Sequence, residues 1–285
     1  MNYAVGIIGL GIMGGSIARL LSESGYKVFG FDLDLTSSEK AQSVGVIGCN
    51  SVAHLFECSD VVLTSLPSGE ALIESLNDLV DCKKSIILIE LSTLSLEIKQ
   101  KAHEISRSKN IEMLDCPISG TGAQAIKGDL VIYASGKKET FDSVANIFKS
   151  FSRICHYVGP FGTGTKLKLA ANLMVAIHNA AAAEAINLAQ VTGVDNDIIL
   201  NLLGAGAGSS KVFDLRAPMM IKRSYLPATM KLSTWKKDLS LIADLAASFD
   251  GKIPLFSQTF NLYEELALTE EGTHDTAAII ETYKK

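Results

Sequence analysis

Two sets of residues have types and spacings that could do chemistry. The first is Gly9-Leu10-Gly11-Ile12-Met13-Gly14, a G-x-G-x-x-G run, with Asp32 beyond it. Such a turn lets the backbone approach a pyrophosphate, which then rests on unpaired N–H groups at the positive end of a helix. Gly9 allows the tight turn, Gly11 the approach, and Gly14 the packing of helix on strand. Asp32 lies close to the roughly 20 residues at which a carboxylate meets the adenine ribose. A carboxylate there accepts from both ribose hydroxyls and repels a 2′-phosphate, and Leu33-Asp34-Leu35 supply no Arg to hold one. The expected cofactor is NAD in preference to NADP. The second set is Lys168 and Asn172, four residues apart and so on one face of a helix. A lysine held near an alcohol carbon acts as general base in oxidation and general acid in reduction, provided desolvation brings its pKa from about 10.4 toward 7–8. Lys166 is a local competitor, and spacing alone leaves both open.

The glycine run needs a strand before it and a helix after it. Ala4, Val5, Ile7 and Ile8 form a short apolar run, and Ile17-Ala18-Arg19-Leu20-Leu21 has helical apolar spacing. The pattern then predicts a strand over 27–31, helices over 37–43 and 51–58 with Ser51 as N-cap, and a strand over 60–64 that ends at Leu66-Pro67. A helix over 69–80, a strand over 85–90 ending in Ser92-Thr93, a helix over 96–108 and a strand over 111–114 follow. In a sheet of this kind ligands lie beyond the carboxyl ends of the strands. Leu66-Pro67 and Ser92-Thr93 therefore share an edge with the glycine turn, although the Ser92 and Thr93 hydroxyls serve equally as an N-cap for the helix after them. Asp115 to Ala125 is turn-rich and opens a short helix, and small residues with free N–H groups there make a carboxylate cradle. Strands over 129–134 and 153–158 flank a helix over 139–150.

At Gly159-Pro160-Phe161-Gly162-Thr163-Gly164 the rhythm changes. Residues 166–191 are Ala-rich and free of Pro and Gly, which predicts one long helix of good formers. Helical patterns then cover 195–203, 209–220, 235–248, 254–268 and 275–283, with Pro254 in a first turn and Asp275 or Thr273 as a cap. The expected fold is α/β: an N-terminal Rossmann domain with a doubly wound, mostly parallel sheet over 1–162, then an all-α substrate and oligomerisation domain over 163–285, entered by a long interdomain helix.

Composition narrows the partners. The 285 residues are 47% hydrophobic and 20% charged, with a net charge of -5, so no basic field draws nucleic acid or an anionic membrane. No signal peptide is read at Met1-Asn2-Tyr3, and no apolar run reaches the 18 or so residues that span a bilayer. Cys49, Cys58, Cys82, Cys116 and Cys155 form no C-x-x-C pair; they read as reduced, mostly buried thiols of a cytoplasmic protein, with no metal site. The long Ala-rich helix needs apolar partners on more than one side, which points to a homodimer or homotetramer.

Taken together, the motifs resemble the β-hydroxyacid dehydrogenases, the family that includes 3-hydroxyisobutyrate dehydrogenase, over nearly the whole chain. The likeness rests on Gly9 to Gly14, Leu66-Pro67, Ser92-Thr93, Asp115-Cys116-Pro117-Ile118-Ser119-Gly120, Gly164-Thr165-Lys166-Leu167-Lys168 with Asn172, and Lys237-Asp238-Leu239. It implies that Lys168 is the catalytic lysine, because the family's G-x-x-x-K-x-x-x-N fits Gly164, Lys168 and Asn172 and not Lys166. It implies that Ser119 and Gly120, with Thr121 at the third position of the cradle, hold the substrate carboxylate. Asn172 would orient substrate or lysine, Thr93 would stand near the nicotinamide, and Lys237 would close over the cofactor held by Gly9, Leu10, Gly11, Ile12, Met13, Gly14, Asp32, Leu66 and Pro67. The implied activity is reversible NAD-dependent oxidation of the hydroxyl of a small 3-hydroxy acid such as 3-hydroxyisobutyrate, threonate or glycerate. Thr121, Cys116, Ala171 and Met230 depart from the family's usual Gly, Ala, Asn and aromatic. They border the substrate pocket, and Ser-Gly-Thr-Gly-Ala-Gln resembles the sugar-acid branch. Two other readings keep the fold: a non-catalytic dinucleotide-binding scaffold, and an imine or semialdehyde reductase, imine reductases typically having another residue in place of the lysine.

Overall fold

Strand β1 (Ala4–Ile8) sends Val5 and Ile7 into one apolar cluster and Ile8 into another. Burial on both faces is what a parallel sheet covered by helices on both sides requires. The structure, a computed structural model, describes residues 3–79, 84–268 and 272–283. After β1 come α1 (Ile12–Glu23), β2 (Lys27–Phe31), α2 (Leu35–Gln42), β3 (Ile47–Gly48), α3 (Val52–Cys58), β4 (Val61–Thr64), α4 (Gly69–Asn77), β5 (Ile86–Glu90), α5 (Leu96–Ser108) and β6 (Ile111–Asp115). Next are β7 (Ile118–Ser119), α6 (Gly122–Ile126), β8 (Leu130–Ser135), α7 (Lys138–Lys149) and β9 (Ser152–Gly159). Strands β3, β2, β1, β4, β5 and β6 lie side by side in that order and all run parallel, the doubly wound arrangement that puts ligands beyond the strand ends. β8 then runs antiparallel to β6 and β7, and β9 parallel to β8. Ile17 and Leu21 of α1 with Ile147 and Phe148 of α7 cover one face, and Leu55 of α3, Leu72 of α4 and Ala102 of α5 cover the other.

The chain divides into two units, Met1–Lys168 and Leu169–Lys285, and the division falls within α8 (Thr163–Val191). The second unit continues with α9 (Asn196–Ala205), α10 (Lys211–Lys222), α11 (Leu232–Ser248), α12 (Pro254–Leu266) and a 3-10 helix over Thr276–Tyr283. Its core gathers Ala176, Ala180, Ala183 and Ile186 of α8 around Phe213, Met220, Trp235, Phe256 and Ile279.

Several local expectations change. The final helix is 3-10 rather than α; Asp275 caps its start by accepting from Ala277 N at 2.9 Å, and the same carboxylate is held by Thr229 and Met230. The cap of α5 is Ser95, whose Oγ accepts from Ile98 N, so Ser92 and Thr93 do not serve that role. Strands β3 and β7 have two residues each, too few to give an apolar period. Helix α4 ends at Asn77, and Val80 lies outside the described residues. Cys116 is buried, Cys49, Cys58 and Cys155 are only partly so, and all four are free thiols; burial pushes the Cys155 thiol up to about 12. Cys82 lies outside the described residues. Finally, α8 has 29 residues and an 18-residue window of mean hydropathy 1.3, which by length and composition is enough to cross a membrane, against the expectation of no such run. Asn172, His178, Asn179 and the charged Glu184 interrupt the apolar stretch; 44% of the window is buried within the protein.

Candidate active site

The glycine turn shows which of its glycines the fold itself needs. Gly9 has φ +88° and donates to Phe31 O at 3.0 Å. A Cβ there would stand 2.2 Å from Ser65 O, and one on Gly14 would stand 1.8 Å from Gly9 O. Gly11 is different. Its φ of -63° suits any residue, and among the described residues nothing lies within 4 Å of where its Cβ would be. The protein has open space above the first turn of α1 at that point. Gly11 also caps α1 without a side-chain bond, and no acidic residue stands in the first turn. The helix start thus offers unpaired N–H groups and a positive end, and these residues fit a pyrophosphate. Asp32 braces the turn: Leu10 N donates to its Oδ2 at 2.6 Å and Asp34 N to its Oδ1 at 2.8 Å. Each carboxylate oxygen keeps a second lone pair for a ribose hydroxyl.

Neighbouring strand ends are tied to one another. Ser92 Oγ accepts from Leu66 N at 2.9 Å, which fixes the Leu66-Pro67 turn, and Ser92 N donates to Glu90 Oε1 at 2.8 Å. Ser119 pairs with Val131 across β7 and β8. Thr121 is the N-cap of α6 in a capping box: Gln124 N donates to Thr121 Oγ1 at 3.4 Å, and Thr121 N to Gln124 Oε1 at 3.0 Å. Its hydroxyl and N–H are both used within the protein, so the residue fixes the end of the Ser119-Gly120 turn. α1 packs on α6, with Gly122 against Ile12 Cγ2, which makes the glycine turn and the Ser119 to Thr121 segment neighbours.

The start of α8 is pinned to the same region. Thr165 N donates to Asp115 Oδ2 and Thr165 Oγ1 to Asp115 Oδ1, each at 2.8 Å. Gly164 lies so close that a Cβ would stand 2.3 Å from Tyr133 O and 2.8 Å from Asp115 O. Three residues on, Lys168 is buried at 8% exposure, while Lys166 is exposed. In the second unit, Asn172 is buried and donates from Nδ2 to Asp238 Oδ2 at 3.0 Å, and Lys237 Nζ lies 3.9 Å from Asp238 Oδ1. The first unit therefore brings together the glycine turn, Asp32, Leu66-Pro67, Ser92-Thr93, Ser119 to Thr121 and the Lys168 end of α8. The second groups Asn172, Lys237 and Asp238.

A buried ion cluster next to these residues has no counterpart in the sequence reading. Lys99 Nζ lies 2.5 Å from Glu90 Oε2 and 2.7 Å from Asp115 Oδ1, all three side chains at 0% exposure. A sequence signal for it is that two apolar strands, Ile86 to Glu90 and Ile111 to Asp115, both end in a carboxylate.

A doubly wound sheet with a glycine turn after its first strand, followed by a helical unit entered along a lysine-bearing helix, is the build of a NAD(P)-binding oxidoreductase. Residues 4–159 match the family described as NAD binding domain of 6-phosphogluconate dehydrogenase, and residues 162–283 that described as NAD-binding of NADP-dependent 3-hydroxyisobutyrate dehydrogenase. The chain belongs to the β-hydroxyacid dehydrogenase family, of the 3-hydroxyisobutyrate dehydrogenase type. It is 27% identical over 288 residues to the L-threonate dehydrogenase of Haemophilus influenzae, covering 99% of this chain and 95% of that protein. The 3-hydroxyisobutyrate dehydrogenase of Salmonella typhimurium has a similar structure, with TM-score 0.87 at 26% identity over 99% of this chain and all of that one. The fold also matches that of the Mycobacterium tuberculosis 3-hydroxyisobutyrate dehydrogenase with L-serine, at TM-score 0.93, 24% identity and full coverage of both chains.

Proposed function

We propose that the protein catalyses the reversible NAD-dependent oxidation of a small 3-hydroxy acid, with Lys168 as general acid and base. The observation that carries this reading is that one unit holds the glycine turn, the Ser119 segment and the buried Lys168, with Asp115 and Thr165 joining the last two. NAD, when bound, supplies the acceptor for the hydride of the carbinol carbon. Gly9 to Gly14, Asp32, Leu66, Pro67 and Lys237 hold it, and Thr93 borders the nicotinamide. Ser119 and Gly120 hold the substrate carboxylate, with Thr121 setting their turn, so the carbon presented is the one β to the carboxylate. Lys168 takes the hydroxyl proton in oxidation and returns it in reduction. Asn172, oriented by Asp238, positions the lysine or the substrate. The likeness to an L-threonate dehydrogenase and this chain's Ser119-Gly120-Thr121-Gly122-Ala123-Gln124 run favour a sugar acid. Leu188, Val191 and Leu202 stand exposed on α8 and α9, which supports a homodimer or homotetramer.

A screen of NAD reduction over 3-hydroxyisobutyrate, 3-hydroxypropionate, glycerate, threonate and serine tests the reading. Turnover is expected, highest on threonate or glycerate. A chain that binds NADH and turns over none of the five acids is a scaffold instead.

Two variants test the cofactor half. Gly11→Ala meets no atom of the described residues, so it is expected to keep the wild-type melting temperature to within a few degrees, a cap change costing about 1 kcal/mol, while NADH binding measured by fluorescence is lost. Unchanged binding in Gly11→Ala removes the pyrophosphate from this turn. Leu33 is 90% exposed, with room for a longer side chain beside Asp32. Asp32→Ser with Leu33→Arg exchanges a repelling carboxylate for a charged donor worth about 1.5–3 kcal/mol, or roughly 10–100-fold in the NADP to NAD ratio of kcat/KM. A wild-type chain that already prefers NADP defeats the ribose argument.

A further inference from the structure

Glu90 and Asp115 are register partners on adjacent parallel strands, which lie about 4.8 Å apart. Two carboxylates therefore stand abreast in the interior. Lys99 of α5 reaches between them and is as fully buried as they are. Burial alone would lower its pKa, but Asp115 and Glu90 outweigh this and keep the ammonium protonated above the ordinary lysine range. The three charges sum to one negative, and neutral donors surround it. Ser92 N donates to Glu90 Oε1, while Thr165 N at 2.8 Å and Ser135 Oγ at 3.0 Å donate to Asp115 Oδ2. Thr165 is in the first turn of α8, whose positive end favours a carboxylate. Two of these donors, Ser92 and Thr165, and the acceptor Asp115 lead into the site. Ser92 holds Leu66 N, Asp115 opens the segment that runs to Ser119 and Gly120, and Thr165 stands three residues before Lys168.

We propose that Lys99 is a positioning residue: by bridging Glu90 and Asp115 it locks the Leu66-Pro67 turn, the Asp115 to Gly120 segment and the first turns of α8 into one frame, and so sets where Lys168 stands. The link to Lys168 rests on the catalytic reading above; the link to the cofactor turn does not. The groups facing the cluster are Glu90 from β5, Lys99 from α5, Asp115 from β6 with Cys116 after it, and the neutral Ser135 and Thr165 from β8 and α8. Burial first, and Asp115 second, push the Cys116 thiol well above its ordinary range, so it stays uncharged.

The test is Lys99→Met, which removes the cation and keeps much of the volume. The two carboxylates then repel, and one takes up a proton. The folded state binds more protons than the unfolded one, so the arrangement holds at low pH and fails as pH rises. Between pH 6 and pH 9 the Kd of Lys99→Met for NADH, divided by that of wild type, is expected to rise at least about tenfold, and kcat to fall by a similar factor. Adding Glu90→Gln removes the like charge and is expected to flatten both profiles. A Lys99→Met chain with wild-type Kd and kcat across this range overturns the proposal, as does an equal, pH-independent loss in the single and double variants, which would make Lys99 a space filler. Thr165→Val gives a second measurement in a chain that keeps all three charges. Its kcat is expected to fall about fivefold with the NADH Kd unchanged, and wild-type kcat there breaks the link to α8. NADH titration needs no turnover. A chain inactive on every acid, with the Lys99→Met binding profile intact, fails the proposed activity and leaves the positioning role standing.

Discussion

Lys168→Met is expected to lower kcat by about 10²–10⁴-fold, the usual contribution of a positioned acid or base, with the Kd for NADH within about threefold of wild type. Methionine keeps the apolar stem of a side chain that is 8% exposed and removes the proton carrier, so folding should survive. Lys166→Met is the matched control. That lysine is exposed on the same helix, and its loss is expected to change kcat by less than about twofold, as surface changes generally do. Turnover near wild type in Lys168→Met contradicts the catalytic assignment. Loss of NADH binding makes Lys168 a cofactor or structural residue. If Lys166→Met is the dead variant, the proton carrier is two residues from where the burial pattern puts it.

The largest stability effect is expected at Asp275. This carboxylate accepts from Arg216 Nε at 3.1 Å, Ala277 N at 2.9 Å, Thr229 N at 2.6 Å, Thr229 Oγ1 at 2.7 Å and Met230 N at 3.0 Å, at 0% exposure. Asp275→Ala leaves Arg216 buried without its counter-charge and several donors without acceptors, a loss of about 3–5 kcal/mol by urea unfolding. Arg216→Met is expected to cost less, because Asp275 keeps its backbone donors. Burial by itself raises the Asp275 carboxyl, but Arg216 and the N–H donors outweigh it and the group ends below the ordinary 3.8. A lowered carboxylate contributes stability that is fully present above its unfolded value and is lost as pH falls through its folded value. The gap between wild type and Asp275→Ala is therefore expected to hold from neutral pH down to about 4 and to narrow below it. An equal gap at pH 2.5 and pH 7 contradicts the assignment.

Much of the fold can be read from the residues, for definite reasons. Runs such as Val61 to Thr64, buried at every position, are apolar without interruption because both faces of the sheet are covered. Leu96 to Ser108 has a strong helical period, and its predicted bounds match the structure. Ile118-Ser119 is too short for any period; its pairing comes from the chain turning back at β8. Lys99 is illegible for another reason. Helical spacing sets it opposite Glu97, Lys101 and Glu104, on the buried face of Ala102 and Ser106, but only the register of β5 against β6 shows that two carboxylates await it. Thr121 carries a readable signal, the T-x-x-Q of a capping box, yet its place beside Ser119 and Gly120 suggests a ligand contact that its cap bonds take up. The site is thus legible where one residue type has one use, and ambiguous where a hydroxyl or an ammonium can serve fold and ligand alike.

The pairing of Glu90 with Asp115 also constrains which sequences can share this fold. Positions 90, 99 and 115 are not independent, because any one of them changed alone leaves either a carboxylate pair without a cation or a cation short of a partner. Related chains should therefore vary at these three positions together, with a neutral residue at 99 accompanied by a neutral residue at 90 or by a cation reaching in from elsewhere. An alignment in which position 99 drifts freely while both acids persist would mean that one of them is held there as the protonated acid.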